Sequence, residues 1–468
     1  MAFLGARWLF RAPFARYASS QARIDYCELP NKGYLHIKGP DAVKFINGLV
    51  TSKMLPTYVK KNLTTISVED EESAEYQSVA DFDMANGNWG VFKEFGAHGP
   101  YISRFGTYTT LLNSKGKLMT DAVIYPTPIW MEDTASRKYP EYLVEMDRSL
   151  IPQVGQIFQS HTLVSKVKSK AEPFESLKTW YLSIAFPSGI SEENPWLSNL
   201  INPMETLKAP EAALNFAKHV LTTFFEGNQA RVLACFIDPR STEVLHESPT
   251  NPQVFRLVTK ADVTDLHDII NAAQLPFEFQ VQKIGAEQVR YERLAHGYVD
   301  GVGDFKPETS LPLELNFDFI PNAVSFDKGC YVGQELTART YATGILRKRA
   351  VPVVLQAWPT LKKLSGSEKY IQIWCDSDES SMTSPQSLNG SSPFATPSSK
   401  FKRQRPAGVL LCFEKDRGVA VLRNEHFKKA FESHTSELYI KVGEEKVTVL
   451  PQQPWWYEEW AEDTDDSP

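Results

Sequence analysis

At 468 residues the chain exceeds one ordinary hydrophobic core, and its 42% hydrophobic and 23% charged shares describe a folded protein of roughly two or three domains, excluding wholesale disorder. A net charge of −7 excludes general attraction of the whole chain to nucleic acid or anionic lipid, leaving only local basic patches, and no apolar run reaches the roughly 20 residues of a transmembrane helix. Five cysteines, odd in number and without a CxxC pair, exclude a disulfide framework and a self-contained thiolate cage.

Residues 1–24 carry Arg7, Arg11, Arg16 and Arg23 among Phe3, Leu4, Trp8, Leu9, Phe10 and Phe14, with no acid before Asp25. This composition predicts a mitochondrial targeting presequence processed between residues 16 and 25; a frayed basic tail is the alternative. The folded part is expected from Tyr26. Residues 33–38 alternate as a half-buried strand, Gly39-Pro40-Asp41 punctuates it, and Val43, Phe45, Ile46, Leu49 and Val50 give a helix over 41–50 its apolar side.

Residues 68–100, acidic and then rich in Gly and Asn, read as a loop insertion. Runs at 107–112 and 117–125, joined by Asn113, Ser114, Lys115 and Gly116, predict a hairpin. On it Asp121 lies among Met119, Ala122, Val123 and Ile124. It is expected to point outward; the alternative is a desolvated carboxyl with a raised pKa.

A helix over 148–160, strands over 163–168 and 180–185, and a helix over 205–225 follow. A buried strand at 232–237 ends in Asp238-Pro239-Arg240, a turn in which the acid caps or pairs with the arginine. Residues 286–298 read as a helix with Tyr291, Leu294 and Tyr298 on one side. Glu314, in the apolar run 311–316, needs a partner if buried, either a ligand or a nearby arginine.

The densest stretch is 327–339, Asp-Lys-Gly-Cys-Tyr-Val-Gly-Gln-Glu-Leu-Thr-Ala-Arg. Gly329 permits positive φ or a close approach, and a helix opens at Gln334. Cys330 then stands ahead of a helix N-terminus with Lys328 nearby, a setting that favours thiolate; a small buried sulfur is the alternative. Arg347, Lys348 and Arg349 read as a solvated surface, or else an anion site. Short strands from residue 350 to 450 without intervening helices predict a small β-barrel over 347–450. Within it, 376–400 is rich in Ser, Pro, Thr and Asn and is expected to be disordered. The acidic tail, 451–468, carries Trp455, Trp456, Tyr457 and Trp460 and is expected to dock on the body through them, with partner binding as the other reading. No phosphate-binding loop, HExxH or GxSxG motif is present.

Lys328, Gly329, Cys330, Tyr331, Gly333, Gln334, Glu335 and Arg339 together resemble the signature of the YgfZ-type folate-binding proteins. These are relatives of the glycine-cleavage aminomethyltransferase that act in iron–sulfur cluster assembly. Residues 33–51 and Asp238-Pro239-Arg240 look like further blocks of the family, and the presequence makes its mitochondrial members the most similar. The resemblance implies an α+β, aminomethyltransferase-like (GcvT/YgfZ) multi-domain fold: a body over 25–346 of two intertwined subdomains, then the C-terminal β-barrel.

It further implies a matrix factor that works with A-type scaffold proteins to mature 4Fe–4S enzymes, aconitase-like and radical-SAM enzymes among them, without turnover of its own. Tetrahydrofolate would occupy a central pocket with Asp121, Asp238, Arg240 and Glu314. Cys330 would be redox-active or lend one ligand to a shared or transient cluster. Lys328 would bias its ionisation, while Gln334, Glu335 and Arg339 would hold the helix start or a ligand. Thr120-Asp121 stands where the aminomethyltransferases carry an acidic pair, so aminomethyl transfer is not expected. A folate-dependent one-carbon transferase and a non-catalytic adaptor are the rival functions.

Overall fold

The structure, a computed structural model, describes residues 22–54, 90–94, 100–130, 139–185, 210–241, 252–272, 278–364, 370–376, 405–433 and 437–465. The expectations for residues 1–21, for most of the loop insertion and for the polar insertion after Asp376 lie outside the described residues.

Strands β1 (Ala22–Glu28) and β2 (Lys32–Lys38) are joined by a short turn yet enter different sheets. Strand structure is already present at Ala22, ahead of the expected boundary: Ala22 is buried and pairs with Phe279, and Ile24 is buried between strands on both sides. Helix α1 (Ala42–Asn47) turns its apolar side onto the core as predicted, but stops before Gly48. The stretch expected to be loop as far as residue 100 contains a strand, β3 (Val91–Lys93), paired with β4 (Tyr101–Ser103).

The predicted hairpin forms as β5 (Thr107–Leu112) and β6 (Leu118–Pro126), with both strands buried throughout. It is followed by β7 (Glu141–Asp147) and α2 (Ile151–His161). The strand expected at 163–168 is a turn, and β8 (Lys168–Ala171) starts where that strand was to end. Local bonds occupy the backbone: Ser165 N–H donates to the Thr162 carbonyl at 3.2 Å and Lys166 N–H to Asp41 Oδ2 at 2.7 Å. One sheet runs β5-β6-β7-β2-β8.

The second sheet gathers β9 (Leu177–Ala185), helix α3 (Pro210–Phe225) against it, β10 (Val232–Ile237), β11 (Gln253–Lys260) and β12 (Phe279–Lys283), in the order β10-β11-β9-β1-β12. Strands β11 and β12 were not anticipated, since polar residues interrupt their apolar alternation. Backbone bonds from Gly106 N–H to the Cys235 carbonyl (2.7 Å) and from Ile129 N–H to the Leu233 carbonyl (2.8 Å) join the two sheets. Tyr108 stacks between Phe236 and Phe317 in the apolar cluster that links them. Burial of each such ring contributes about 1.5–3 kcal/mol.

Helices α4 (Ala286–Ala295) and α5 (Gln334–Thr343) precede the barrel. Its strands are β13 (Lys348–Leu355), β14 (Ile371–Cys375), β15 (Gly408–Glu414), β16 (Arg417–Arg423), β17 (Leu438–Val442) and β18 (Glu445–Pro451), closed in the order β13-β16-β15-β14-β17-β18. The series is not helix-free: α6 (Asn424–Ser433) inserts Phe427 and Phe431 into the barrel cluster.

The acidic tail continues as α7 (Tyr457–Asp465) and docks on the body. Trp456 stacks on Phe319 at 5.1 Å, Trp455 Nε1–H donates to the Tyr298 hydroxyl at 2.9 Å, and the Arg349 guanidinium lies 4.4 Å from the Phe319 ring centre. Arg349 also grips Asp318 with both terminal nitrogens, at 3.1 and 2.9 Å, so it is buried structure rather than part of a solvated cationic run.

Candidate functional site

The stretch 323–332 is laced onto residues 47–53, nearly the whole body away in sequence. Thr51 Oγ1–H donates to the Ala323 carbonyl at 2.7 Å, Ser325 N–H to the Thr51 carbonyl at 3.0 Å, and Val332 N–H to the Gly48 carbonyl at 3.1 Å. Lys53 Nζ lies 3.2 Å from Asp327 Oδ2 and 3.0 Å from Glu94 Oε1. Thr51, Ser52 and Lys53 were not singled out from the sequence. Their polarity directly after an apolar helix was the available signal.

Lys328 is the centre of this lacing. Its ammonium donates to the carbonyls of Asn47 (2.8 Å), Val50 (2.6 Å) and Ser52 (2.8 Å), groups freed where α1 ends, and stands 4.7 Å from the Tyr331 ring centre. It anchors the loop by capping these carbonyls. The left-handed position falls at Gly333 (φ 78°), which is the N-cap of α5. A Cβ there would strike the Asn113 carbonyl, so the hairpin tip packs directly on the motif backbone. Gln334 Oε1 accepts from Tyr331 N–H at 3.0 Å and closes the loop between them.

Cys330, three residues ahead of that cap, is exposed. The other four sulfurs are buried; burial pushes the Cys27 thiol up to about 12 and holds those of Cys235 and Cys412 well above the usual thiol range. Glu335 and Arg339 pair with each other at 2.6 Å on the open face of α5 and hold neither the helix start nor the loop. Phe326 and Tyr341 stack beside them at 3.6 Å, both exposed.

The expected folate residues divide. Asp121, Asp238 and Arg240 converge on one buried network, whereas Glu314 sits at the barrel junction, accepting from Leu311 N–H at 3.0 Å with Lys348 Nζ at 3.3 Å. Its protein partners are a backbone amide and a lysine where an arginine was expected. Asp121 faces inward, correcting the outward expectation: it accepts from the Tyr108 hydroxyl at 2.6 Å and from Gly301 N–H at 3.0 Å. Burial, reinforced by the charge of Asp300, pushes its carboxyl above the usual range.

Asp300 is the hub that the sequence reading missed. It binds Lys32 Nζ at 2.8 Å and Arg256 Nη2 at 2.5 Å; burial opposes its ionisation, but Arg256 and Lys32 outweigh it and hold the carboxyl well below the usual range. Arg256 reaches onward to the wholly buried Glu145 at 2.9 Å. Asp238 and Arg240 form the expected turn pair, two-pronged at 2.9 and 2.7 Å, with the guanidinium between the Tyr108 and Tyr298 rings. Ionisable residues inside the apolar runs at 141–147 and 253–260 were the clue. Among the described residues no group of three or more His, Cys, Asp and Glu side chains is placed to hold a metal ion, and no described helix is long and apolar enough to cross a membrane.

With this geometry in hand, the chain aligns with proteins of known role. It is 42% identical to the mitochondrial iron–sulfur cluster assembly factor IBA57 of Saccharomyces cerevisiae, covering 96% of this chain and 95% of that protein. It is 42% identical to the Candida glabrata IBA57 homologue (94% and 91% covered) and 38% identical to that of Kluyveromyces lactis (97% and 98%). No protein-family model matches. Among solved structures, the glycine cleavage system aminomethyltransferase T of Bartonella henselae superposes with a TM-score of 0.49 at 9% identity, over 93% of this chain and 86% of that one.

Proposed function

The chain belongs to the IBA57 family of mitochondrial iron–sulfur cluster assembly factors, and from that premise we propose that it presents Cys330 as one thiolate ligand of a cluster shared with an A-type scaffold protein. The work takes place in the mitochondrial matrix and serves 4Fe–4S recipients such as aconitase-like and radical-SAM enzymes. The observation that carries this reading is the contrast among the sulfurs: Cys330 is exposed on a loop fixed at Lys328, Val332 and Gly333, while the other four are buried.

A thiol so placed can release its proton to water as iron binds and lend a single soft ligand without loop rearrangement. The cluster is cargo, and its remaining ligands come from the scaffold protein. Lys328, Gly333 and Gln334 set the position of the sulfur. Glu335, Arg339, Phe326 and Tyr341 form the exposed ground beside it, where a partner would sit.

The residues expected to hold tetrahydrofolate already satisfy one another, which favours a reading without folate. Asp121, Asp238 and Arg240 are buried and bonded to one another's neighbours, and Glu314 is elsewhere. No step is therefore assigned to folate, and a titration with tetrahydrofolate is expected to give no saturable binding.

Anaerobic reconstitution of the full chain with iron and sulfide tests the main reading, with and without an A-type scaffold protein. A visible-absorbing cluster is expected only in the mixture, and Cys330→Ala is expected to abolish it while the protein keeps its fold. A cluster of unchanged intensity with Cys330→Ala would overturn the ligand role and leave the chain an adaptor.

A further inference from the structure

Leu163 and Val164 stand at the tip of the turn between α2 and β8, 90% and 95% exposed. Isolated exposed aliphatics are common, but two adjacent ones fully in water at the apex of a turn are not explained by core packing. Nor is the turn a loose one. Thr162 N–H and Oγ1–H both reach the Gln159 carbonyl at 3.2 and 2.7 Å, Val167 N–H bonds the Ser165 carbonyl at 2.9 Å, and the Asp41 carboxylate takes Lys166 N–H. A Cβ on Gly39 would collide with the Lys166 carbonyl, so this backbone is seated on the body. The fold holds the two side chains outward.

Behind the tip come Lys166, Lys168 and Lys170, all exposed and without an ion pair among the described residues. Lys168 is in register with Lys38 on β2, whose ammonium is taken by Glu141. Among the described residues strand β8 is an edge of its sheet, where lysines discourage pairing with another chain. That purpose accounts for Lys168 and Lys170 but leaves the aliphatic tip and Lys166 unexplained. A preformed aliphatic wedge followed by unpaired lysines is complementary to one surface, an anionic bilayer, in which apolar side chains enter the acyl boundary while ammonium groups remain among the phosphates. It runs against the overall charge of −7, which would otherwise keep the chain off such a surface.

We propose that the Leu163–Val164 tip and its three lysines dock this protein, peripherally and reversibly, on an anionic phospholipid membrane. Insertion of each aliphatic side chain is expected to be worth about tenfold in partitioning, and each lysine about fivefold. The site lies on the opposite strand edge from β5 and its hairpin, so it is independent of the Cys330 reading.

Sedimentation of the full chain with vesicles of phosphatidylcholine and phosphatidylglycerol, against phosphatidylcholine alone, tests it. Binding is expected only to the anionic vesicles, weakened by salt. It should fall by about tenfold or more in Leu163→Ser/Val164→Ser and in Lys166→Gln/Lys168→Gln/Lys170→Gln. All five side chains are in water, so circular dichroism and the melting temperature should not move. Absence of wild-type binding, or equal binding by the double serine variant, overturns the proposal. So does concentration-dependent self-association that the serine variant abolishes without any vesicle binding, which would assign the tip to a second copy of the chain.

Discussion

Two charged regions of this molecule use the same residue types to opposite ends. Around Asp300, cations and anions are sealed from water and each has a fixed partner. Along α5, Glu335 and Arg339 make an equally short contact in open solvent, beside an exposed thiol. Distance alone does not separate the two. Burial does: removing one partner inside leaves an uncompensated charge in low dielectric, while outside water replaces it. The interior network ties three strands and a loop together, and the exposed face is left open for a partner.

That contrast can be tested by substitution. The largest effect is expected from Arg256→Met, which strips Glu145 and Asp300 of a shared partner and should lower the unfolding free energy by about 3–5 kcal/mol in urea titrations. Loss comparable to a surface pair would refute the central place given to the network.

Next is Lys93 on β3, a buried ammonium bonded to the Gly106 carbonyl at 2.7 Å and pushed by burial from 10.5 down to about 7. Because its folded pKa is depressed, the unfolded chain holds the extra proton between those values, so stability rises with pH across that window and the full penalty is present below it. Lys93→Met should therefore stabilise most below pH 7, on the order of 2–3 kcal/mol, and the advantage should shrink towards pH 10.5. Melting curves of both proteins across pH measure it, and an advantage that grew with pH would contradict the assignment.

Lys328→Met sharpens the comparison from the other side. It leaves three carbonyls without their donor and should cost about 1–3 kcal/mol, intermediate between interior and surface, together with reduced cluster formation. Smallest is Glu335→Ala, expected to shift stability by less than about 0.5 kcal/mol. A larger loss would show that the exposed pair contributes to the fold after all.

Much of the framework was readable from patterning. The hairpin at 107–126 carried both its alternation and its turn residues, and the Asp238–Arg240 pair follows from an aspartate held extended before proline. What escaped reading depends on contacts far apart in sequence. Asp121 was assigned outward because its inward partners are Tyr108 across the hairpin and a backbone amide at Gly301, neither marked by local pattern. Strand β11 was overlooked because Arg256 breaks its apolar run, and only Glu145 and Asp300 make that arginine tolerable inside. Lys328 was read as a neighbour of the thiol by adjacency, yet its ammonium turns to carbonyls about 280 residues earlier in the chain, too remote for local reading.

The position of β1 bears on how the chain reaches its native state. That strand lies between β9 and β12, antiparallel to one and parallel to the other, so its two edges are satisfied only when residues 177–185 and 279–283 are present. A chain emerging amino terminus first, from a ribosome or an import pore, must therefore leave one edge of Ile24 and Tyr26 open until β9 has followed and the other open until β12 has followed, by residue 283. The other sheet, whose strands all fall between Lys32 and Ala171, carries no such wait. The sheet that holds β1 therefore closes late, and during that interval its leading strand is a natural handle for a chaperone.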